Sequence, residues 1–178
     1  MMDMQFQYCH NIALILSAGL LLSSAPVASR EEMFIETVEG WDINKTLRNN
    51  DPLPCQMTHS YRDMTDGGAQ NSVGITRSDG QIVFMLSYER WNWSEGESLK
   101  SDLITGNETI SPVPTWIGKG TILYCRILDR EVRKLSLSRT VFVRFPEGDA
   151  DFDVSGIEVA LAAMDRCNRS NTKNGMAR

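Results

Sequence analysis

Apolar and polar residues alternate along most of the chain, and most clearly from Val73 to Tyr88, VGITRSDGQIVFMLSY. Two strand-like runs flank Asp79-Gly80, a dipeptide favoured in type I′ turns because both central positions need positive φ, which Asp tolerates and Gly adopts freely. The pattern predicts a hairpin. Gly40 to Leu47 reads as a half-buried strand with Trp41, Ile43 and Leu47 on one side and Asp42, Asn44 and Thr46 on the other. Cys55 to Tyr61, Ser72 to Thr76, Leu99 to Ile104 and Thr140 to Phe145 read as further strands. Thr121 to Leu128 is a continuous apolar run suited to burial on both faces. Two proline-bearing stretches, Asp51 to Pro54 and Ser111 to Pro114, interrupt the ladders, because proline cannot donate a ladder hydrogen bond.

Helical spacing appears twice. Asp129 to Leu137 predicts a short helix with Val132, Leu135 and Leu128 facing inward. Ser155-Gly156-Ile157-Glu158 has the form of a capping box, and Ile157, Ala160, Leu161, Met164 and Cys167 continue from it as one helical stripe. From Arg169 onward periodicity is lost, and residues 169–178 are expected to form a disordered tail. The expected fold is mainly β, a β-sandwich or open barrel of about seven antiparallel strands with a C-terminal α-helix packed on it. Residues 30–168 form the single domain of this reading.

The pattern of the first 29 residues is different. Ile12 to Leu22 is an apolar run of about ten residues, half of the roughly 20 that a membrane span needs, and Ser23 to Ser29 follows with small residues. This reads as a secretory signal peptide, residues 1–29, with Val27 and Ser29 ahead of a cut near Arg30. The leading MMDMQFQYCHN lacks the usual positive charge and contains Asp3, which a mis-assigned start codon explains; the alternative is a buried N-terminal helix. The mature chain then contains no membrane span and is expected in the periplasm or outside the cell.

The chain has 18 Lys and Arg against 23 Asp and Glu, and only Asp3 of these lies in the leader. The signs are interspersed, so there is no concentrated basic face of the kind nucleic acid requires. Of the four cysteines, Cys9 lies in the leader. Cys125 sits in the strand-like TILYCRIL, where a free thiol behaves as a small apolar residue. The expected disulfide therefore joins Cys55 to Cys167, worth about 4 to 5 kcal/mol in the chain-entropy picture; three free thiols are the alternative.

No assembled catalytic or metal motif emerges. His59 is the only histidine beyond the leader, and no Gly-x-Ser-x-Gly turn offers it a nucleophile. No Cys-x-x-Cys spacing exists. Asp149, Asp151 and Asp153 alternate on a probable strand and would share one face, but the EF-hand Gly and terminal Glu are missing. No catalytic residue, metal or cofactor is assigned. Tyr88, Trp91, Trp93 and Trp116 are the candidate binding residues, forming an aromatic platform for sugar rings or a partner protein. Core burial of at least one of them is the competing use, since a Trp buries roughly 150 to 250 Å².

Gly40-Trp41 before a cysteine-bearing strand, the Asp79-Gly80 hairpin, the step from Trp93 to Gly96 and the ending Phe152-Asp153-Val154-Ser155-Gly156 to Ala160-Leu161 form an ordered pattern. From about Trp41 to Cys167 it resembles exported proteobacterial proteins of the invasion-associated locus B type. The resemblance implies a periplasmic or surface-associated protein, linked in some bacteria to invasion of host cells, and it brings no catalytic residue. This chain departs from the family in having few cysteines and an odd number of them.

The expected function is therefore that of an exported, non-enzymatic periplasmic or envelope protein that binds a protein or envelope component; no oligomeric state is assigned. The alternative is a periplasmic inhibitor or immunity protein that blocks a wall-degrading enzyme through the segment ERWNWSEGES, Glu89 to Ser98.

Overall fold

Inward and outward positions alternate strand after strand, and that alternation builds two antiparallel sheets around one core. The computed structural model describes residues 30–49, 51–78, 80–146 and 148–175. The expected leader with Cys9, the turn residue Asp79 and the last residues of the expected tail, 176–178, lie outside these. In chain order the strands are β1 (Arg30–Val38), β2 (Trp41–Arg48), β3 (Asp51–Pro52), β4 (Gln56–Asp63), β5 (Ala69–Ser78) and β6 (Gln81–Tyr88). Next come β7 (Ser98–Lys100), β8 (Leu103–Thr105), β9 (Glu108–Thr109), β10 (Thr115–Lys119) and β11 (Ile122–Leu128). A short helix, α1 (Val132–Leu135), precedes β12 (Thr140–Phe145) and β13 (Gly148–Asp153), and α2 (Ile157–Gly175) ends the fold.

The large sheet runs β1-β2-β4-β5-β6-β11-β10-β7, with β3 paired to β2, and the small sheet runs β13-β12-β8-β9. The expected hairpin is present: β5 pairs with β6 from Asn71↔Tyr88 to Ser78↔Gln81, and Gly80 takes a φ of 71°. Its inward residues Val73, Ile75, Ile82, Phe84 and Leu86 join Trp41, Ile43, Met57, Leu123 and Ile127 from neighbouring strands. Leu103, Val141, Val143 and Phe152 reach the same core from the small sheet. Helix α2 lies against β1, β2 and β4 and buries Ile157, Ala160, Met164 and Cys167 of the expected stripe, with Ala163 beside them, while Leu161 of that stripe is only partly buried.

The architecture is mainly β with the C-terminal helix packed on the sheet. Several details depart from expectation. The described residues form thirteen strands rather than about seven, because short pairings such as β3 and β9 carry no pattern of their own. Strand β1 has consecutive apolar residues, Met33, Phe34 and Ile35, and lies almost wholly exposed at the sheet edge, so no alternation marks it. Leu99 to Ile104 is not one strand: at Ser101, whose hydroxyl donates to the Arg144 carbonyl, the chain leaves one sheet for the other. Strand β11 alternates rather than being buried on both faces, because among the described residues no element packs over Ile122, Tyr124 and Arg126. Thr46 is buried and Leu47 only partly so, since β3 folds back over β2 and the Leu53 amide donates to the Thr46 carbonyl at 2.8 Å.

At the helix start, the Ser155 amide donates to Asp153 Oδ1 at 2.8 Å. This local turn, rather than a Ser155–Glu158 capping box, prepares the first turn of α2. Gly156 is set tightly against the β1–β2 turn: a Cβ there would lie 2.5 Å from Glu39 Cβ, and the backbone has a φ of 76°. The helix also continues to Gly175, so the chain is helical past Asn168 where a disordered tail was expected; no helix-breaking residue intervenes before that glycine.

Candidate binding site

Trp91 and Trp93 follow β6 after a turn at Glu89 and Arg90, where the Trp91 amide donates to the Tyr88 carbonyl at 3.0 Å, and they face the β12–β13 hairpin. The path is fixed by backbone pairing. Trp93 and Gly120 exchange hydrogen bonds at 2.8 and 2.9 Å, the Gly96 amide donates to Gly118 at 3.0 Å, and the Gly118 amide donates to Glu97 at 2.7 Å. The segment is thus laid down along the β10–β11 turn, and the Lys119–Glu95 ion pair at 2.7 Å closes it from outside.

The two indoles meet Phe145, at the inward-facing end of β12. Ring centroids are 5.9 Å apart for Trp91 and Trp93, 6.1 Å for Trp91 and Phe145, and 6.0 Å for Trp93 and Phe145. Phe152 supports Trp91 from the core at 5.6 Å, and Tyr88 stands edge-on to it at 5.8 Å. Together with Gly148, Asp149 and Ala150, these three rings line an open pocket of about 380 Å³. Trp93 Nε1 is buried and meets no acceptor among the described residues. Asp149 stands at the rim, bound in register across the hairpin by Arg144 through Nε at 3.2 Å and Nη2 at 3.3 Å.

The four aromatic candidates separate into different roles. Trp91 and Trp93 are half-buried and line the pocket. Tyr88 buttresses Trp91 from outside the pocket, and its hydroxyl is pushed up from its usual range by donating to Asp66. Trp116 is not a surface residue: it is fully buried, edge-on to Phe84, with Nε1 donating to the Ser101 carbonyl at 3.1 Å. Its strand faces the core at that register, so Trp116 serves packing. Phe145, Gly148, Asp149 and Ala150 were missed as site residues. The run TVFVRF signalled that Phe145 shares a face with Val141 and Val143, but nothing local tied that face to Trp91.

His59 is held on both sides. Its ring stacks between Trp41 and Tyr61, each at 5.3 Å, its Nδ1 donates to the Gly40 carbonyl at 2.8 Å, and Nε2 faces Asp153 Oδ2 at 3.6 Å. The Tyr61 hydroxyl accepts from the Asp153 amide at 2.8 Å and is pushed up mainly by burial. Burial also opposes the Asp153 charge, but hydrogen bonds from Ser155 and the facing His59 outweigh it and hold the carboxyl below its ordinary value. This arrangement clasps the large sheet to β13, with Nδ1 directed to a backbone carbonyl and Nε2 to a carboxylate.

Asp149, Asp151 and Asp153 do not converge: Asp149 pairs with Arg144, Asp151 is exposed and Asp153 turns to Ser155 and His59. Among the described residues no group of three His, Cys, Asp or Glu is placed to hold a metal ion. Cys55 and Cys167 form the expected disulfide, with Cα atoms 6.1 Å apart. Cys125 is free and buried in the core. A larger hollow of about 480 Å³ beside the disulfide includes Arg77 and Asp165 in its lining, but these are paired to each other, and Arg77 also bonds Asp129.

Comparison with protein-family models, curated proteins and solved structures finds no match to this chain.

Proposed function

We propose that this is an exported binding protein without enzymatic activity, acting in the periplasm or at the bacterial envelope, and that it engages a protein partner through the pocket of Trp91, Trp93 and Phe145. The observation that carries the reading is the pocket itself: two half-buried indoles opening to solvent on a segment fixed by backbone hydrogen bonds. A partner side chain entering such a site finds apolar area already assembled, and little ordering entropy is lost on docking. Export is supported by the apolar leader and by a disulfide, which persists in oxidising compartments. The stacking of His59 between Trp41 and Tyr61, with Nδ1 donating to the Gly40 carbonyl, supports a packing role for this side chain.

The test compares the mature chain with Ala150→Phe, which fills the pocket from a position already lining it. A protein captured from envelope extract by the wild type and lost with Ala150→Phe supports the reading; capture indifferent to the plug overturns it. The mass of the secreted product checks export, with a chain starting near Arg30 expected. The pre-ordered segment from Glu89 to Ser98 also favours a second reading, docking on a wall-degrading enzyme as an inhibitor. Inhibition of lysozymes or amidases at micromolar concentration distinguishes it.

A further inference from the structure

We infer that the pocket takes a cationic side chain, specifically an arginine guanidinium of the partner protein, stacked on the indole faces with its charge toward Asp149. This rests on the reading that the pocket is the binding site. Three features point to a cation rather than to an anion or a purely apolar group.

The floor is π-electron surface. Trp91 lies at 73° to Trp93 and 81° to Phe145, while Trp93 and Phe145 are inclined by 36°, so ring faces and edges are presented in different directions around one opening. Aromatic faces are the negative side of the ring quadrupole and attract cations within about 6 Å, indole most strongly. The opposite wall is the start of β13, where Gly148 and Ala150 add almost no bulk and leave room for a flat group.

Among the described residues the one charged group lining the pocket is a carboxylate. Asp149 is already gripped by a guanidinium fork, that of Arg144, which shows the geometry it accepts. The pair is surface-exposed, 59% and 39% for the two side chains, so it is weak and open to exchange. A carboxylate offers about four acceptor sites, and Arg144 occupies two. A second guanidinium fits what remains, and its plane stacks on an indole while its edge donates, which an ammonium group cannot do.

The surroundings are acidic. Glu89, Glu95 and Glu97 neighbour the tryptophans in sequence, and Asp151 follows Asp149 on β13 with its side chain exposed. The basic groups near them are already matched to carboxylates: Arg90 to Asp66 at 2.8 Å, Lys119 to Glu95 at 2.7 Å and Arg144 to Asp149. Among the described residues Glu89 and Asp151 form no ion pair, so the sequence neighbours of the lining residues add negative charge without a matched cation.

The experiment follows the indole N–H resonances of the full mature chain during titration with N-acetyl-arginine amide, the neutral isostere N-acetyl-citrulline amide, N-acetyl-phenylalanine amide and methyl glucoside. The arginine probe is expected to shift Trp91 and Trp93 saturably, leaving Trp116 unmoved, with at least fivefold preference over citrulline. Asp149→Asn should bring that preference near parity. Raising the salt concentration should do the same in the wild type, independently of any effect of the substitution on folding. Equal or tighter binding of a neutral probe, or no probe moving either indole, overturns the inference. If the arginine preference stands while partner capture ignores Ala150→Phe, the functional reading fails and this one survives. If capture needs the pocket but citrulline binds as well as arginine, only this inference falls.

Discussion

Trp93 lies so closely over Gly118 that a Cβ on the glycine would sit 2.6 Å from the Trp93 Cβ and 2.9 Å from its Cγ. The near atoms are the stem of the indole, which cannot swing aside without breaking the paired backbone of Trp93 and Gly120. Gly118→Ala is therefore expected to cost about 1 to 3 kcal/mol, the usual range for overpacking a filled site. Chemical denaturation followed by indole fluorescence measures it, and the native spectrum should change as Trp93 is displaced.

Trp93→Phe should behave differently. The substitution removes a buried N–H that has no acceptor among the described residues, relieving its desolvation cost while giving up some apolar area. Stability is expected to stay within about 1 kcal/mol of the wild type, far from the roughly 3 to 5 kcal/mol of an aromatic truncated to alanine. Denaturant midpoints decide the matter.

The Cys55–Cys167 bridge spans a sequence separation of 112. Replacing both cysteines by serine should cost up to about 4 to 5 kcal/mol in the chain-entropy picture. A large drop in melting temperature under non-reducing conditions, matched by adding a reductant to the wild type, is the expected result.

Burial pushes the Cys125 thiol up to about 12 from an ordinary 9.0. Below the ordinary value both folded and unfolded thiols are protonated, and this group adds no pH dependence. Between the two values the unfolded thiol ionises while the folded one holds its proton, so stability falls as pH rises. Cys125→Ala should flatten that alkaline slope, and the native thiol should resist Ellman's reagent at pH 8 until denaturant is added.

Asp153 carries the opposite sign. Its carboxyl is held below the ordinary 3.8, so its contribution is present above that value and is lost as pH falls through the lowered folded one. Asp153→Asn should lower stability at neutral pH and remove part of the acid-induced loss, read as a shallower fall of the denaturation midpoint below about pH 4.

Much of this fold was readable where pattern and burial coincide. The β5–β6 hairpin and the α2 stripe declare themselves because each has one face in the core, and the disulfide followed from setting aside Cys9 in the leader and Cys125 in an apolar strand. Strand β1 was invisible for the converse reason: pairing to β2 holds it, and pairing between backbones leaves little mark on side-chain order. The break between β7 and β8 depends on Ser101 reaching Arg144, a contact made across 43 residues. The site was half legible. Trp91 and Trp93 stood out as exposed-segment aromatics, whereas Trp116 lies on β10 with its side chain in the core, a placement its local sequence does not mark. Asp149 and Ala150 became site residues only once the β12–β13 hairpin was folded against the tryptophans.

The bridge between the β3–β4 segment and α2 makes a covalent ring of most of the domain. A single proteolytic nick anywhere between Gln56 and Arg166 opens the backbone without releasing a fragment, because both products stay on one sulfur-linked body. A nicked molecule therefore migrates as one species on a non-reducing gel and separates only when a thiol is added.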